Sequence, residues 1–160
     1  MAKKRVYVES TVISYLTARP SRDFFMLAKQ RLTCDWWALR EKWDLYVSSA
    51  VLLEIADGDS TAAGKRLEMA EKLSLLADHP KVEMLAEKLF VDVPIPGKAK
   101  ADAAHLAFSA FYKMDYLATW NQAHLDNPHS REKIDSIIKG QGMNPAFVLT
   151  PERLLEMEND

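Results

Sequence analysis

The stretch Arg5-Val-Tyr-Val-Glu9-Ser-Thr11-Val-Ile-Ser-Tyr-Leu16 changes character at Glu9. Before it, β-branched and aromatic residues make a short strand. After it, Ser10-Thr11 offers a hydroxyl cap to a helix over Val12-Ile13-Ser14-Tyr15-Leu16. A strand that turns directly into a helix opens a βα unit, and the rest of the chain repeats the alternation. A long amphipathic helix is predicted from Ser21 to about Trp43, then a strand over 44–49, then a helix capped by Ser49, carrying Glu54 and ended by Gly58. Residues 61–90 read as two helices parted at Asp78-His79-Pro80, and 91–96 as a short strand or extended link. Helices over 100–113 and 130–139 alternate with strands over 116–119 and 146–149. Thr150-Pro151 opens a last helix, with proline at its first position. The pattern predicts an α/β fold with a mostly parallel sheet, and one domain over residues 1–160 without repeats or linkers.

The chain of 160 residues is long enough to bury a core, and its 48% hydrophobic and 28% charged residues are ordinary for a globular protein. A formal net charge of −2 gives no global basic signature, so any nucleic-acid contact has to come from local patches. The lone Cys34 supports neither an internal disulfide nor a zinc–thiolate centre. The basic Lys3-Lys4-Arg5 is followed by an apolar run that ends at Glu9, too short for a signal peptide. No apolar run approaches the roughly 18 residues of a membrane span. Together these features predict a cytoplasmic protein.

Three acids stand where folding alone does not ask for them. Glu9 closes the first strand, Glu54 lies inside Ala50-Val-Leu-Leu-Glu-Ile-Ala56, and Asp102 opens Asp102-Ala-Ala-His105-Leu-Ala-Phe108. A fourth polar residue, Asn121, follows the strand Tyr116-Leu-Ala-Thr119. Ligands of parallel α/β sheets bind at the carboxyl ends of the strands, and this reading puts Glu9 and Asn121 there. Carboxylates gathered in one pocket repel unless a cation such as Mg²⁺ or Mn²⁺ lies between them, which points to metal-dependent phosphodiester hydrolysis.

Each residue also has a plain structural role. Glu9 can be a loop or capping residue, Asp102 can favour a helix dipole, and Asn121 can form an Asx turn. Glu54, among Leu52, Leu53 and Ile55, is the hardest to explain as structure, because a buried unpaired carboxylate is costly. His105 falls one helical turn after Asp102 and is either a packing histidine, a ligand or a base. Ser10 and Thr119 are short hydroxyls beside candidate ligands and suit supporting roles. Lys98, Lys100, Arg19 and Arg22 flank the proposed site and can meet phosphates, while Asp115 and Asp126 are surface or outer acids. Asp57-Gly-Asp-Ser-Thr61 has the Asp-x-Asp-x-Thr form of haloacid-dehalogenase-type phosphatases, a motif that should follow a buried strand.

Tyr7-Val-Glu-Ser-Thr-Val-Ile-Ser-Tyr-Leu16, Ser49-Ala-Val-Leu-Leu-Glu-Ile55, Asp102-Ala-Ala-His-Leu-Ala107 and Tyr116-Leu-Ala-Thr-Trp-Asn121, followed by His124-Leu-Asp-Asn127, resemble the successive motifs of the PIN-domain family. They are similar to the VapC-type toxin branch of that family. The resemblance covers nearly the whole chain, in order, and ends with Thr150-Pro-Glu-Arg-Leu-Leu155. It implies a three-layer α/β/α sandwich, Mg²⁺- or Mn²⁺-dependent RNA cleavage, a homodimer and a cognate antitoxin. Glu9, Glu54 and Asp102 stand where the family has its first three acids. They would be the metal ligands, and with Asn121 the catalytic set. Two departures follow. Glu9 is one methylene longer than the usual aspartate, and Asn121 replaces an acid, which removes one negative charge. A catalytically weak or inactive PIN-like module that binds RNA or protein is the alternative these departures support.

Overall fold

The computed structural model describes residues 2–96 and 99–159. Five strands form one parallel sheet: β1 (Lys4–Val8), β2 (Trp43–Val47), β3 (Ser74–Leu75), β4 (Tyr116–Ala118) and β5 (Phe147–Leu149). Their spatial order is β3-β2-β1-β4-β5. The chain builds outward from β1 on one side as far as β3, then crosses back to lay β4 on the other side. This reversal opens a crevice at the carboxyl end of β1, the general ligand position of such sheets.

The helices are α1 (Ser10–Thr17), α2 (Phe24–Ala38), α3 (Ser49–Ile55), α4 (Ser60–Ala70), α5 (Pro80–Asp92), α6 (Lys100–Phe111), α7 (Gln122–Leu125), α8 (Pro128–Gly140) and α9 (Pro151–Glu158). They cover both faces of the sheet, with α2 against α9 and α5 against α6. The result is the expected α/β/α sandwich. Because both faces are covered, the end of β1 is apolar without alternation, and Val6, Tyr7 and Val8 are all fully buried. The core continues through Trp36, Ile55, Leu89, Leu117 and Ile138. No helix among the described residues is long and apolar enough to cross a membrane.

Several boundaries depart from the sequence reading. The helix expected from Ser21 to Trp43 starts at Phe24, capped by Asp23, and stops at Ala38. A short 3₁₀ turn over Arg40–Lys42 follows, and Trp43 begins β2. Helical spacing of its apolar residues had absorbed a residue that belongs to the strand. The cap of α3 is Ser48 rather than Ser49, and the cap of α1 is the Glu9 side chain rather than a hydroxyl. Residues 91–92 complete α5. β3 and α7 were not anticipated, being too short to show a period. Asp57-Gly-Asp follows a helix, not a strand: Gly58 turns with φ +87 and Asp59 caps α4, which removes the phosphatase reading.

Candidate metal centre

Glu9 is placed by the ladder itself. Its N–H continues the β1–β4 pairing by donating to the Ala118 carbonyl at 3.0 Å, and its side chain then turns back over the start of α1. One oxygen, Oε1, accepts from the Thr11 N–H at 3.1 Å, the Thr11 hydroxyl at 2.5 Å and the Thr119 hydroxyl at 2.6 Å. The same hydroxyls accept in turn: Thr11 Oγ1 from the Trp120 N–H at 2.9 Å, and Thr119 Oγ1 from the Asn121 N–H at 2.8 Å. The carboxylate is 2% exposed and therefore depends on these donors. Its cap role and its burial have one origin, and the loop that carries half-buried Asn121 is tied to it through Thr119.

Glu54 sits in the last turn of α3. Val51 and Ile55 face the core and Leu53 faces solvent, so Glu54 lies at the rim with its side chain 35% exposed, more open than its apolar neighbours suggested. Its Oε1 accepts from the Ser10 hydroxyl at 2.5 Å and meets His105 Nε2 at 2.6 Å. Burial pushes the Glu54 carboxyl up, but the hydrogen bond and charge of His105 and the Ser10 hydroxyl outweigh it and hold the group below the usual carboxylate range.

Asp102 lies in the first turn of α6, 3% exposed, and accepts from His124 Nδ1 at 3.1 Å through Oδ2. Desolvation pushes its carboxyl above the usual range, against the lowering effect of the His124 hydrogen bond and of His105 and His124; Glu54 pushes the same way as burial. Asp102 is not among the described residues that share one ligand-sized group with Glu9 and Glu54; His105 is. His105, one turn further on, is fully buried.

Glu9, Glu54 and His105 bring one ligand-type atom each within 4.8 Å of one another. No lysine or arginine among the described residues pairs with Glu9, Glu54 or Asp102. Two carboxylates at this range, with neither paired to a lysine or arginine of the described residues, fit a bound divalent cation. The hydrogen bonds favour the same use, because in both glutamates those from the described residues gather on Oε1, which holds the carboxylate still and leaves Oε2 for a cation. Oxygen donors suit Mg²⁺ and Mn²⁺ alike.

The remaining expected residues fall as follows. Ser10 and Thr119 each bond a candidate ligand directly. Lys100 is exposed at the start of α6 and lies over the Phe90 ring at 5.6 Å. Lys98 lies outside the described residues. Asp115 precedes β4 at the amino end of the strands, where it takes the Arg5 N–H at 2.8 Å, and Asp126 pairs with Arg131 at 3.2 Å, so neither belongs to the cluster. The sequence reading missed Tyr7, Thr11, Ser48 and His124. A tyrosine inside a fully apolar strand was the available signal, since a buried hydroxyl needs a partner.

In structure, the chain is similar to VapC20 of Mycobacterium tuberculosis, described as a sarcin–ricin-loop-cleaving toxin, with a TM-score of 0.60 over 78% of this chain and 95% of that one, at 14% identity. No protein-family model matches the chain, and no curated protein matches its sequence. At this identity the likeness establishes the fold, which is VapC-like and PIN-type.

Proposed function

We propose that the chain is a metal-dependent endoribonuclease and the toxin of a type II toxin–antitoxin pair, a cytoplasmic homodimer inhibited by a cognate antitoxin. The observation that carries this reading is the convergence of Glu9 and Glu54, from separate elements, at the switch point of a PIN-type sheet, with no lysine or arginine among the described residues paired to either. Glu9, Glu54 and Asp102 would hold Mg²⁺ or Mn²⁺. The bound ion would polarise the scissile phosphate and lower the pKa of an attacking water. The chain's own residues do the positioning: Thr11 and Thr119 orient Glu9, Ser10 and His105 orient Glu54, and His124 orients Asp102. Lys100 and Lys98 are proposed to meet substrate phosphates. An unpaired RNA loop is the fitting substrate, because its bases can be splayed into a crevice.

The test is cleavage of a structured RNA with exposed loops. Cutting is expected with Mg²⁺ or Mn²⁺, and a chelator should remove it with recovery on adding the ion back. Cutting that survives complete chelation contradicts the proposal.

Asn121 favours the second reading, a weak or inactive binding module, because it supplies no charge at the crevice. Asn121→Asp separates the two. A unit charge about 4 Å from a divalent ion adds about 2 kcal/mol in a water-like dielectric, so Mn²⁺ should bind roughly thirtyfold tighter in calorimetry. Unchanged affinity places Asn121 outside the ion's reach.

A further inference from the structure

A buried hydrogen-bond chain runs behind Glu54. Ser48 Oγ lies 2.6 Å from the Tyr7 hydroxyl, the Tyr7 hydroxyl 2.6 Å from His105 Nδ1, and His105 Nε2 2.6 Å from Glu54 Oε1. Ser48, Tyr7 and His105 are all 0% exposed. Ser48 also caps α3, the helix whose last turn carries Glu54. One network therefore grips α3 at both ends and ties it to β1 and α6.

The proton positions follow from the partners. Glu54 Oε1 already accepts from the Ser10 hydroxyl, and a carboxylate oxygen offers lone pairs only, so the hydrogen in its contact with His105 belongs to Nε2. Nδ1 and Ser48 Oγ both face the Tyr7 hydroxyl, which can donate to one and accept from the other. Every member is then satisfied. Phenylalanine at 7 and leucine at 105 would fill this space without polar atoms to pair, so packing alone does not account for the chain.

We propose that His105 is a positioning residue: the Ser48–Tyr7–His105 chain fixes a hydrogen on Nε2, which locks Glu54 Oε1, leaves Oε2 as the oxygen offered to a cation, and keeps the imidazole out of the ion's ligand set. This rests on the metal-dependent reading for its use, but not for its geometry. It separates His105 from Glu9 and Glu54, although the three lie within one ligand-sized sphere.

Three measurements test it. Nitrogen-15 NMR of the metal-free protein should find the His105 hydrogen on Nε2; a ring carrying its hydrogen on Nδ1 alone overturns the proposal. Electron spin-echo spectroscopy of the Mn²⁺-loaded protein should find no directly bound nitrogen, and a directly bound one overturns it. Calorimetry should show Mn²⁺ affinity about 10–100-fold weaker in His105→Leu, the scale of losing an outer-shell partner. His105→Gln, whose amide can still donate, should recover it to within about threefold of wild type on the same scale. A folded His105→Leu variant that binds Mn²⁺ like wild type overturns the proposal, and if that variant does not fold, the two spectroscopic results decide. Wild-type protein that takes up no Mn²⁺ defeats the nuclease reading instead, and the NMR result still decides the hydrogen-bond assignment.

Discussion

Asp102→Asn is expected to cut RNA cleavage by about 10²–10³-fold while raising the thermal stability of the metal-free protein. The first effect follows from removing a charge in a preorganised, water-poor site, where single groups are worth several powers of ten in rate at most and about 10²–10³ commonly. The second follows from its burial, which is the main reason its carboxyl is held above the usual range. A folded-state pKa above the unfolded one means that ionisation works against the fold. The deficit is absent below the unfolded value, near 3.9, opens as pH rises through the interval between the two, and persists above it. Asparagine carries no such deficit, and its amide oxygen can still accept from His124. In chelator at pH 7.5 the variant should melt about 1–4 °C higher, a modest shift for a chain of this size, with the gain shrinking as pH falls toward about 4. Lost cleavage with a higher melting temperature marks a residue kept for chemistry at the expense of stability. A variant that melts lower would make Asp102 a structural acid, and one that cuts normally would remove it from the site.

Such a separation of roles explains what was legible in the sequence. The alternation of strands and helices was plain where a strand is buried on both faces and reads as a solid apolar run, Val6-Tyr7-Val8 being the clearest. Elements of about one period, β3 and α7, carried no repeat to read. Trp43 was misassigned because one tryptophan at helical spacing looks the same whether it ends a helix or starts a strand. For the site, the acids were visible as residue types in unexpected places, but their depth was not. Glu9 is more buried than Glu54, the reverse of what their neighbours implied. Local neighbours report the helix a residue belongs to, whereas burial depends on which sheet edge that helix end meets. The groups that hold the acids were the least legible. Thr119 reaches Glu9 and His105 reaches Glu54 only because β4 and α6 lie beside β1 and α3, and no local period records those meetings.

Glu9→Ala should be the most damaging single change in the crevice, losing cleavage, metal binding and stability together. It removes one acceptor and leaves three donors, the Thr11 N–H, the Thr11 hydroxyl and the Thr119 hydroxyl, without their shared partner. Loss of a helix cap alone costs about 0.5–2 kcal/mol, and a stranded buried donor about 1–3 kcal/mol. The hydroxyls can rotate to other acceptors, so the net is expected near 3 kcal/mol, a fall in melting temperature of about 6–12 °C. Glu9→Gln isolates the chemistry from the architecture. Its amide oxygen can take the place of Oε1 and keep all three donors, while its NH₂ occupies the position of Oε2 and turns a donor toward any cation. Glutamine should therefore melt within about 2 °C of wild type and yet bind Mn²⁺ at least tenfold more weakly, the least expected from losing a direct ligand when an outer partner alone is worth about 10–100-fold. If Glu9→Gln instead holds Mn²⁺ as tightly as wild type, the buried carboxylate is a cap and nothing more, and the ion must be sought among Glu54, Asp102 and their neighbours. If both variants melt alike and low, the charge itself holds the β1–α1 corner, and the free Oε2 has a structural partner in solution.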